Sequence, residues 1–210
     1  MLAHSTTVSL LRAYGLKCAA GVSVGNSDDG KRAAAALGYP VILKGLVPGV
    51  VHRSDAGLIS GKILDEAGLE DEFAALAAKA RSFPYEDMDI GVEKFVPHDF
   101  EVILGIKYDA TFGPVILCGL GGVFTEVLMD YALRLAPLAP VDAEEMLSSL
   151  KAFPILQKCA GGLTALSHAL VQLSDLAVEL EGKIKALDIN PIALSAASSE
   201  ITVLDAKVHL

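Results

Sequence analysis

A lysine at the end of an apolar run is a residue that could meet a phosphate group. Lys44 closes the run VILK at residues 41–44, which follows Pro40 and is typical of a buried strand. Burying a lysine costs free energy unless an anion meets the amine. The run therefore predicts either a phosphate-binding Lys44 or a lysine at a strand end that extends its amine to water.

Residues 52–57, HRSDAG, join an imidazole, a guanidinium and a flexible glycine. The His52 imidazole can act as a general base or as a nucleophile toward phosphorus. The Arg53 guanidinium can donate two hydrogen bonds to a phosphate group. Taken alone, such a segment is more often a solvated polar loop, so both interpretations stay open.

The glycine-rich segment 119–122, GLGG, follows the apolar run 115–118. Backbone amides in such a turn can approach an anion closely. The segment is not a Walker loop, since no GK[ST] follows, and a tight structural turn is the common alternative. Beyond it, Arg134 lies in a mostly apolar run and needs a carboxylate or phosphate partner, of which an internal salt bridge is the simpler choice.

Acid and amide side chains gather near the C-terminus. Asp188 and Asn190 are two residues apart on a predicted strand, so their side chains share a face. If residues 189–194 and 200–204 form a hairpin, Asn190 lies opposite Asp205, with Cβ atoms about 5 Å apart. Such a group of oxygen ligands is the pattern of a Mg²⁺ site. The alternative is a turn or bulge at Asn190 and a strand-end cap at Asp205.

Hydrophobic periodicity predicts a mixed α+β (α/β) chain. In the clearest helix, residues 163–180, apolar side chains recur at spacings of three and four. In the clearest strand, 101–107, alternate residues fall on one face. Pro97 is a reasonable hinge between an N-terminal lobe, 20–96, and a C-terminal lobe, 1–19 with 97–210. Further helices are predicted at 9–14, 27–38 (N-cap Ser27 or Asp28), 69–80 and 142–150 (capping box Asp142 and Glu145), and further strands at 41–44, 58–64, 90–95, 115–118, 184–190 and 201–205.

Composition limits the classes of function. The 210 residues include 17 Lys and Arg against 26 Asp and Glu, which argues against nucleic-acid binding because that needs clustered cations. Cys18, Cys118 and Cys159 are far apart and odd in number, which argues against a disulfide framework or a zinc site. No signal-peptide pattern opens the sequence, and no apolar run is long enough to span a bilayer. We expect a cytoplasmic protein that binds neither nucleic acid nor membrane.

The motifs occur in a familiar order over nearly the whole chain. The chain resembles the ATP-grasp (beta) domain of NDP-forming acyl-CoA synthetases and is similar, more distantly, to the beta subunit of succinyl-CoA synthetase. The resemblance implies an ATP-grasp fold of two lobes, each with a β-sheet flanked by helices. It is carried by LLRAYGL, GYPVILK, HRSDAG, EVILGIKYDATFGPV, GLGGVFTEVLMDYALRLAPL, DINPI and LDAK.

The resemblance also implies roles for matching residues. His52 would carry a phosphoryl group between distant sites, with Arg53 beside it and Asp188 positioning the phosphohistidine. Glu101 would bind the ribose hydroxyls, and Lys44 the nucleotide phosphates. The remaining implied roles are an adenine-binding hinge at Glu93, Lys94, Phe95 and Val96, a phosphate end lined by Arg134, Gly121 and Gly122, and Mg²⁺ ligands Asn190 and Asp205.

By the same resemblance, the chain binds ATP or ADP with Mg²⁺ and serves an ADP-forming acyl-CoA synthetase through a phosphohistidine. A CoA-binding alpha subunit, or N-terminal domains of the same enzyme, would complete the reaction. Three departures leave alternatives open: Arg53 replaces the usual lysine, the glycine pair is reduced to Gly57-Leu58, and residues 157–160 (QKCA) replace a Gly-x-Arg-Gly segment. The two alternatives are a non-catalytic regulatory domain of a protein acetyltransferase and another ATP-grasp carboxylate ligase.

Overall fold

The computed structural model describes residues 1–47, 49–50, 53–83, 89–122 and 129–210. The chain divides into two compact units. One is Ala19–Phe95; the other joins Met1–Cys18 to Val96–Leu210. Each unit contains its own antiparallel β-sheet with helices, so the predicted α+β class is confirmed.

The unit Ala19–Phe95 holds a three-stranded sheet in the order β1-β3-β2. Helix α2 begins because the Asn26 side chain accepts the Asp29 N–H at 2.9 Å, so the predicted N-cap at Ser27 or Asp28 is wrong by one or two positions. The apolar stripe predicted for residues 69–80 is confirmed, since all four of its members are buried. The elements are β1 Gly21–Val24, α2 Ser27–Leu37, β2 Val41–Leu46, α3 Glu66–Ala80 and β3 Asp89–Lys94.

A strand predicted at residues 58–64 is not present. In this stretch Ile59 and Ile63 make only isolated bridges, to Lys44 and Val41. The segment lies beside β2 without forming a continuous ladder. Periodicity alone does not distinguish these two arrangements.

The other unit is built on a six-stranded sheet in the order β6-β5-β4-β7-β8, with β9 also paired to β7. Val102, Leu104 and Ile106 form one buried face of β4, as predicted. Helix α6 covers that face with a fully buried stripe that includes Leu166 and Leu170. The elements are α1 His4–Ala13, β4 Phe100–Asp109, β5 Gly113–Leu120, β6 Tyr131–Leu135, α4 Pro140–Ser148, α5 Phe153–Leu156, a 3-10 turn Gln157–Cys159, α6 Ala160–Glu179, β7 Ala186–Leu194, β8 Thr202–Val203 and β9 Ala206–His209.

Two local predictions in this unit need correction. Residues 201–205 are not one strand, because the N–H groups of Leu204 and Asp205 both approach the Pro191 carbonyl oxygen and interrupt the ladder between β8 and β9. Asp142 does not open its helix. The N-cap is Ala139, and the Asp142 carboxylate accepts the Ala139 N–H at 2.8 Å from within the first turn.

Candidate functional site

Lys44 lies within strand β2, at one edge of the three-stranded sheet, and its side chain is buried rather than solvated at a strand end. Its side chain is 3% exposed, and its Nζ lies 2.8 Å from Oε2 of Glu93, which is 6% exposed. Both residues belong to neighbouring strands, β2 and β3, which fixes the pair from two sides. The alternative that Lys44 extends its amine to water is therefore wrong, and two predicted site residues meet as a buried ion pair.

Two residues of the predicted adenine hinge, Lys94 and Phe95, use their backbone N–H groups in hydrogen bonds within the unit Ala19–Phe95. The Lys94 N–H donates to the Ala20 carbonyl at 2.8 Å, and the Phe95 N–H donates to the Pro40 carbonyl at 3.1 Å. The Lys62 ammonium lies 5.1 Å from the centre of the Phe95 ring, within cation–π range. These bonds fix the strand, so only the groups that they do not use are available for the predicted adenine contact.

The imidazole predicted to carry phosphate, His52, lies outside the described residues. Its neighbour Arg53 is buried, although Ser54 and Asp55 after it are exposed. The turn closes because the Leu58 N–H donates to the Arg53 carbonyl at 2.8 Å, with Gly57 at φ +60°. The segment is therefore not a uniformly solvated loop, since its guanidinium is held inside the unit.

Glu101 forms a compact cluster with the predicted glycine turn. The Gly121 N–H donates to the Glu101 carbonyl at 2.8 Å. A Cβ at Gly121 would lie 3.0 Å from that same carbonyl, and one at Gly122, where φ is +75°, would lie 3.2 Å from Oε2 of Glu101. Glycine is needed at both positions because the turn runs directly over Glu101.

One face of the six-stranded sheet carries Asp188 away from the helices. Strand pairing aligns Leu133, Leu117, Gly105, Asp188 and Lys207 in a row across five strands. Directly opposed residues in antiparallel strands share a face. Glu101 follows the same alternation along β4, so the structure places Glu101 and Asp188 on the same face of the sheet.

The structure does not bring Arg134 to these groups. Arg134 pairs with Ile116, and Ile116 pairs with Ile106, both of which face the helix-covered core. Its side chain thus starts on the face opposite Asp188. It is 42% exposed and its Nη2 lies 4.0 Å from Oε2 of Glu145, which matches the simple salt-bridge alternative.

The pairing predicted for the C-terminal hairpin is confirmed. The Asn190 N–H donates to the Asp205 carbonyl at 3.0 Å, which sets the two residues side by side. The bulge that was the alternative interpretation is also present, since the β4–β7 register shifts between Val102 and Leu104, opposite Asn190. The flanking pairs are Ile189 with Ala206 and Ile192 with Val203.

The residues at this hairpin fit a magnesium ion. Asp205 is buried, its Oδ1 accepts the Ala206 N–H at 3.0 Å, and its Oδ2 lies 3.8 Å from Nζ of Lys207. Among the described residues, no three His, Cys, Asp or Glu side chains gather as a metal site. One carboxylate and one amide oxygen leave most coordination positions to water and phosphate, as Mg²⁺ prefers.

Two residues here were missed as functional candidates. His98 contacts both Glu101 and the hinge residue Val96, and Lys207 contacts Asp205. Lys207 lies in the LDAK motif, which was a usable signal. His98 stands three residues before Glu101 in a polar loop, and that spacing alone does not predict contact outside a helix.

The segment that replaces Gly-x-Arg-Gly lies before helix α6. Lys158 is exposed there and Cys159 is buried. Burial, with a smaller contribution from Asp99, raises the pKa of the Cys159 thiol. Burial likewise raises the pKa of Cys118 to about 12, so neither thiol is suited to act as a nucleophile.

Several known proteins are similar to this chain. A family model described as an ATP-grasp domain matches residues 1–210. The chain is 34% identical to the beta subunit of acetate–CoA ligase (ADP-forming) I of Pyrococcus furiosus, over 87% of this chain and 81% of that one. The chain belongs to the ATP-grasp family. The predicted ATP-grasp fold is thereby confirmed, as is the resemblance to ADP-forming acyl-CoA synthetases.

Two further proteins place this ATP-grasp domain among its relatives. It is 31% identical to 4-hydroxybutyrate–CoA ligase (ADP-forming) of Nitrosopumilus maritimus, over 96% of this chain but only 30% of that protein. It superposes with a TM-score of 0.92 on acetyl-coenzyme A synthetase 1 of Ca. Korarchaeum cryptofilum in complex with coenzyme A and Ca-AMPCP, at 29% identity, covering 100% of this chain and 93% of that one. The same protein with Mg-AMPPCP, whose phosphohistidine segment points towards the nucleotide-binding site, gives a TM-score of 0.83 at 28% identity, covering 100% and 92%.

No helix among the described residues combines the length and apolar character that crossing a membrane requires.

Proposed function

We propose that this ATP-grasp domain binds ATP or ADP and transfers a phosphoryl group in an ADP-forming acyl-CoA synthetase. The observation that carries the proposal is the strand register that sets Asn190 beside Asp205 within an ATP-grasp fold. The named relatives are ligases, which favours a catalytic role over a regulatory one. Arg134 is left out of this role because it starts on the opposite face of its sheet.

Lys44 contacts the nucleotide phosphates in this proposal. Its amine is already paired with Glu93, so the cost of burying the charge is met before nucleotide arrives. A phosphate oxygen approaching Nζ adds a second anion to the same ammonium, which has three N–H donors. Glu93 then serves as the resident counter-ion of Lys44, and the backbone of residues 93–96 takes the adenine.

Asn190 and Asp205 hold Mg²⁺ in this proposal, and Asp188 and Lys207 lie beside them in the sheet. When bound, the ion neutralises charge on the phosphate oxygens during transfer. The Ala206 N–H fixes one oxygen of the Asp205 carboxylate, and Lys207 lies near the other. Gly121 and Gly122 keep the neighbouring turn against Glu101, which binds the ribose.

His52 is the phosphoryl acceptor in this proposal. A ring nitrogen lone pair forms the N–P bond while the bond from the γ-phosphorus to the bridging oxygen breaks, and that electron pair leaves with ADP. The proton on the other ring nitrogen passes to water, giving neutral phosphoimidazole. Arg53 beside it compensates phosphate charge. In the reverse direction, ADP takes the phosphoryl group and regenerates the imidazole.

A CoA-binding alpha subunit, or further domains of the same polypeptide, completes the reaction. One named relative is a beta subunit, and in another the matching region is less than a third of the protein. The 210-residue chain alone is therefore expected to form no acyl-CoA from acid, ATP and CoA. Adding the CoA-binding partner should restore turnover.

Phosphate labelling tests the role of His52. Incubation with Mg²⁺ and γ-labelled ATP should place an acid-labile, base-stable label on the chain, and His52→Ala should abolish it. His168→Ala is the matched control, because His168 is exposed on helix α6 and should leave labelling unchanged. A wild-type chain that takes no label, or a label that survives in His52→Ala, would contradict the proposed phosphohistidine.

A further inference from the structure

We infer that His98 is a positioning residue that holds the Glu101 carboxylate for a ribose and so sets the preference for ribonucleotides over 2′-deoxyribonucleotides. The inference rests on the proposed function, in which Glu101 binds the ribose hydroxyls. It concerns three residues of a single unit: Val96, His98 and Glu101.

The His98 ring bridges the hinge backbone and the carboxylate. Its Nδ1 lies 2.9 Å from the Val96 carbonyl oxygen, and its Nε2 lies 3.2 Å from Oε1 of Glu101. The two side chains are 22% and 31% exposed, so the contact is largely shielded from water. One end of the ring is thus anchored to the main chain, and the other end fixes the carboxylate.

Both atoms that the ring faces are hydrogen-bond acceptors. A neutral imidazole carries one N–H and can donate to only one of them, whereas the imidazolium donates to both. Both contacts are hydrogen bonds only when each ring nitrogen carries a proton, and the bond to Glu101 requires the proton on Nε2. A carboxylate oxygen has two lone pairs, so Oε1 can take this bond and still accept a hydroxyl.

The other carboxylate oxygen is confined by the glycine turn. A Cβ on Gly122 would lie 3.2 Å from Oε2. Because glycine has no side chain, Oε2 can occupy this position without a close contact. The Gly121 N–H holds the main chain of Glu101 at the same time. A glutamate otherwise loses considerable rotamer entropy when it is ordered by a ligand. Fixing it beforehand reduces that loss and strengthens binding.

A fixed carboxylate discriminates between sugars because two hydroxyls on adjacent carbons can donate to it, whereas a 2′-deoxy sugar offers one. Removing a hydrogen bond to a charged group costs about 1.5–3 kcal/mol, which corresponds to roughly ten- to one-hundredfold in affinity. A carboxylate that rotates freely recovers part of this loss elsewhere. Loss of the His98 contact should therefore reduce the ratio of the two dissociation constants.

The test compares binding of ATP and 2′-deoxyATP, with Mg²⁺, by titration calorimetry of the 210-residue chain. His98→Gln keeps a side-chain N–H donor near the position of Nε2, whereas His98→Asn keeps one near Nδ1 and loses the donor to Glu101. Glu101→Gln is measured in parallel, and His168→Ala on exposed helix α6 is the control. Thermal unfolding of each variant checks that it remains folded.

We expect the wild type to bind 2′-deoxyATP on the order of tenfold more weakly than ATP. His98→Asn and Glu101→Gln should bring this ratio close to one, while His98→Gln and the control keep it. If Glu101→Gln lowers the ratio and His98→Asn does not, the role of His98 is wrong and the proposed function stands. If the wild type binds neither nucleotide, the proposed function itself is wrong.

Discussion

The two units of this ATP-grasp domain present different charged groups on their sheets. The three-stranded sheet of Ala19–Phe95 buries a cation, Lys44, against a carboxylate from the next strand. The six-stranded sheet of the other unit carries acidic and amide oxygens, Glu101, Asp188 and Asn190, on a face turned away from its helices. In the proposed function, the smaller sheet offers a positive group for phosphate, and the larger sheet offers oxygen atoms for a sugar and a metal ion.

The two sheets also differ in how their charged side chains are stabilised when no ligand is bound. A buried ammonium in the smaller sheet requires an internal counter-ion, since desolvating an isolated charge is prohibitively costly. In the larger sheet, the Glu101 side chain is 31% exposed, whereas the buried Asp205 carboxylate accepts the Ala206 N–H and lies 3.8 Å from the Lys207 ammonium. Disrupting the first unit should therefore cost stability, and disrupting the second should mainly cost ligand binding.

The largest effect is expected at the buried ion pair. Lys44→Met leaves the Glu93 carboxylate buried beside an apolar side chain, and breaking such a pair typically costs about 3–5 kcal/mol of stability. Replacing both partners, Lys44→Met with Glu93→Leu, should recover most of that loss because no charge is left behind. Urea unfolding measures the free energy of unfolding of the single and the double variant.

Arg32→Ala is the control for the ion pair, since this arginine is 74% exposed and pairs with Asp29 at the surface. Its removal should change the free energy of unfolding by less than about 0.5 kcal/mol. If Lys44→Met is as stable as Arg32→Ala, the buried pair does not hold this unit together. ATP binding should be lost in both Lys44 variants, including the restabilised one.

A smaller effect on stability, with a larger effect on magnesium, is expected at Asp205. Asp205→Asn keeps an oxygen to accept the Ala206 N–H but removes the negative charge. Changes around metal ligands cost about 10–100-fold in metal affinity, so the loss of a ligand charge should cost at least tenfold in the Mg²⁺ concentration needed for ATP binding. The measurement is ATP affinity as a function of Mg²⁺. An unchanged Mg²⁺ requirement would rule out Asp205 as a ligand.

The smallest effect is expected at Gly122 in the glycine turn, for which Gly182, beyond the end of helix α6, is the matched control. Gly122 and Gly182 have φ of +75° and +74°, and a Cβ at Gly182 would meet nothing within 4 Å. Alanine at either position should cost about 1 kcal/mol of stability from the left-handed conformation. Only Gly122→Ala should also weaken ATP binding, since its Cβ would press on Glu101. Equal affinities of the two variants would show that the turn does not shape the site.

Residue spacing predicted those helices and strands whose position depends on residues close to them in the sequence. The buried stripes of α3 and β4 follow from residue spacing, and the C-terminal pairing follows from the short connection between its strands. Asn26 was missed as an N-cap because Ser27 and Asp28 beside it have equally suitable side chains. The break after β8 depends on a carbonyl of Pro191, which no spacing rule indicates.

The missing parts of the site depend on contacts between distant segments. Lys44 meets Glu93 because β2 and β3 pair in one particular register, and the residues between them do not specify it. The resemblance implies a phosphate-end role for Arg134, whereas its mostly apolar run leaves a carboxylate or phosphate partner open. Its face of the sheet follows only from the pairing of three successive strands. Sequence patterns thus identified the residue types, and strand register decided which of them meet.

The most direct test of nucleotide binding by this domain is a titration of the purified 210-residue chain with ATP, with and without Mg²⁺. If the proposed function is right, each chain binds one nucleotide saturably, and Mg²⁺ strengthens this binding. The double variant Lys44→Met with Glu93→Leu should remain folded and bind no nucleotide. Absence of wild-type binding up to about 1 mM ATP, the upper end of ordinary KM values, would contradict the proposed function.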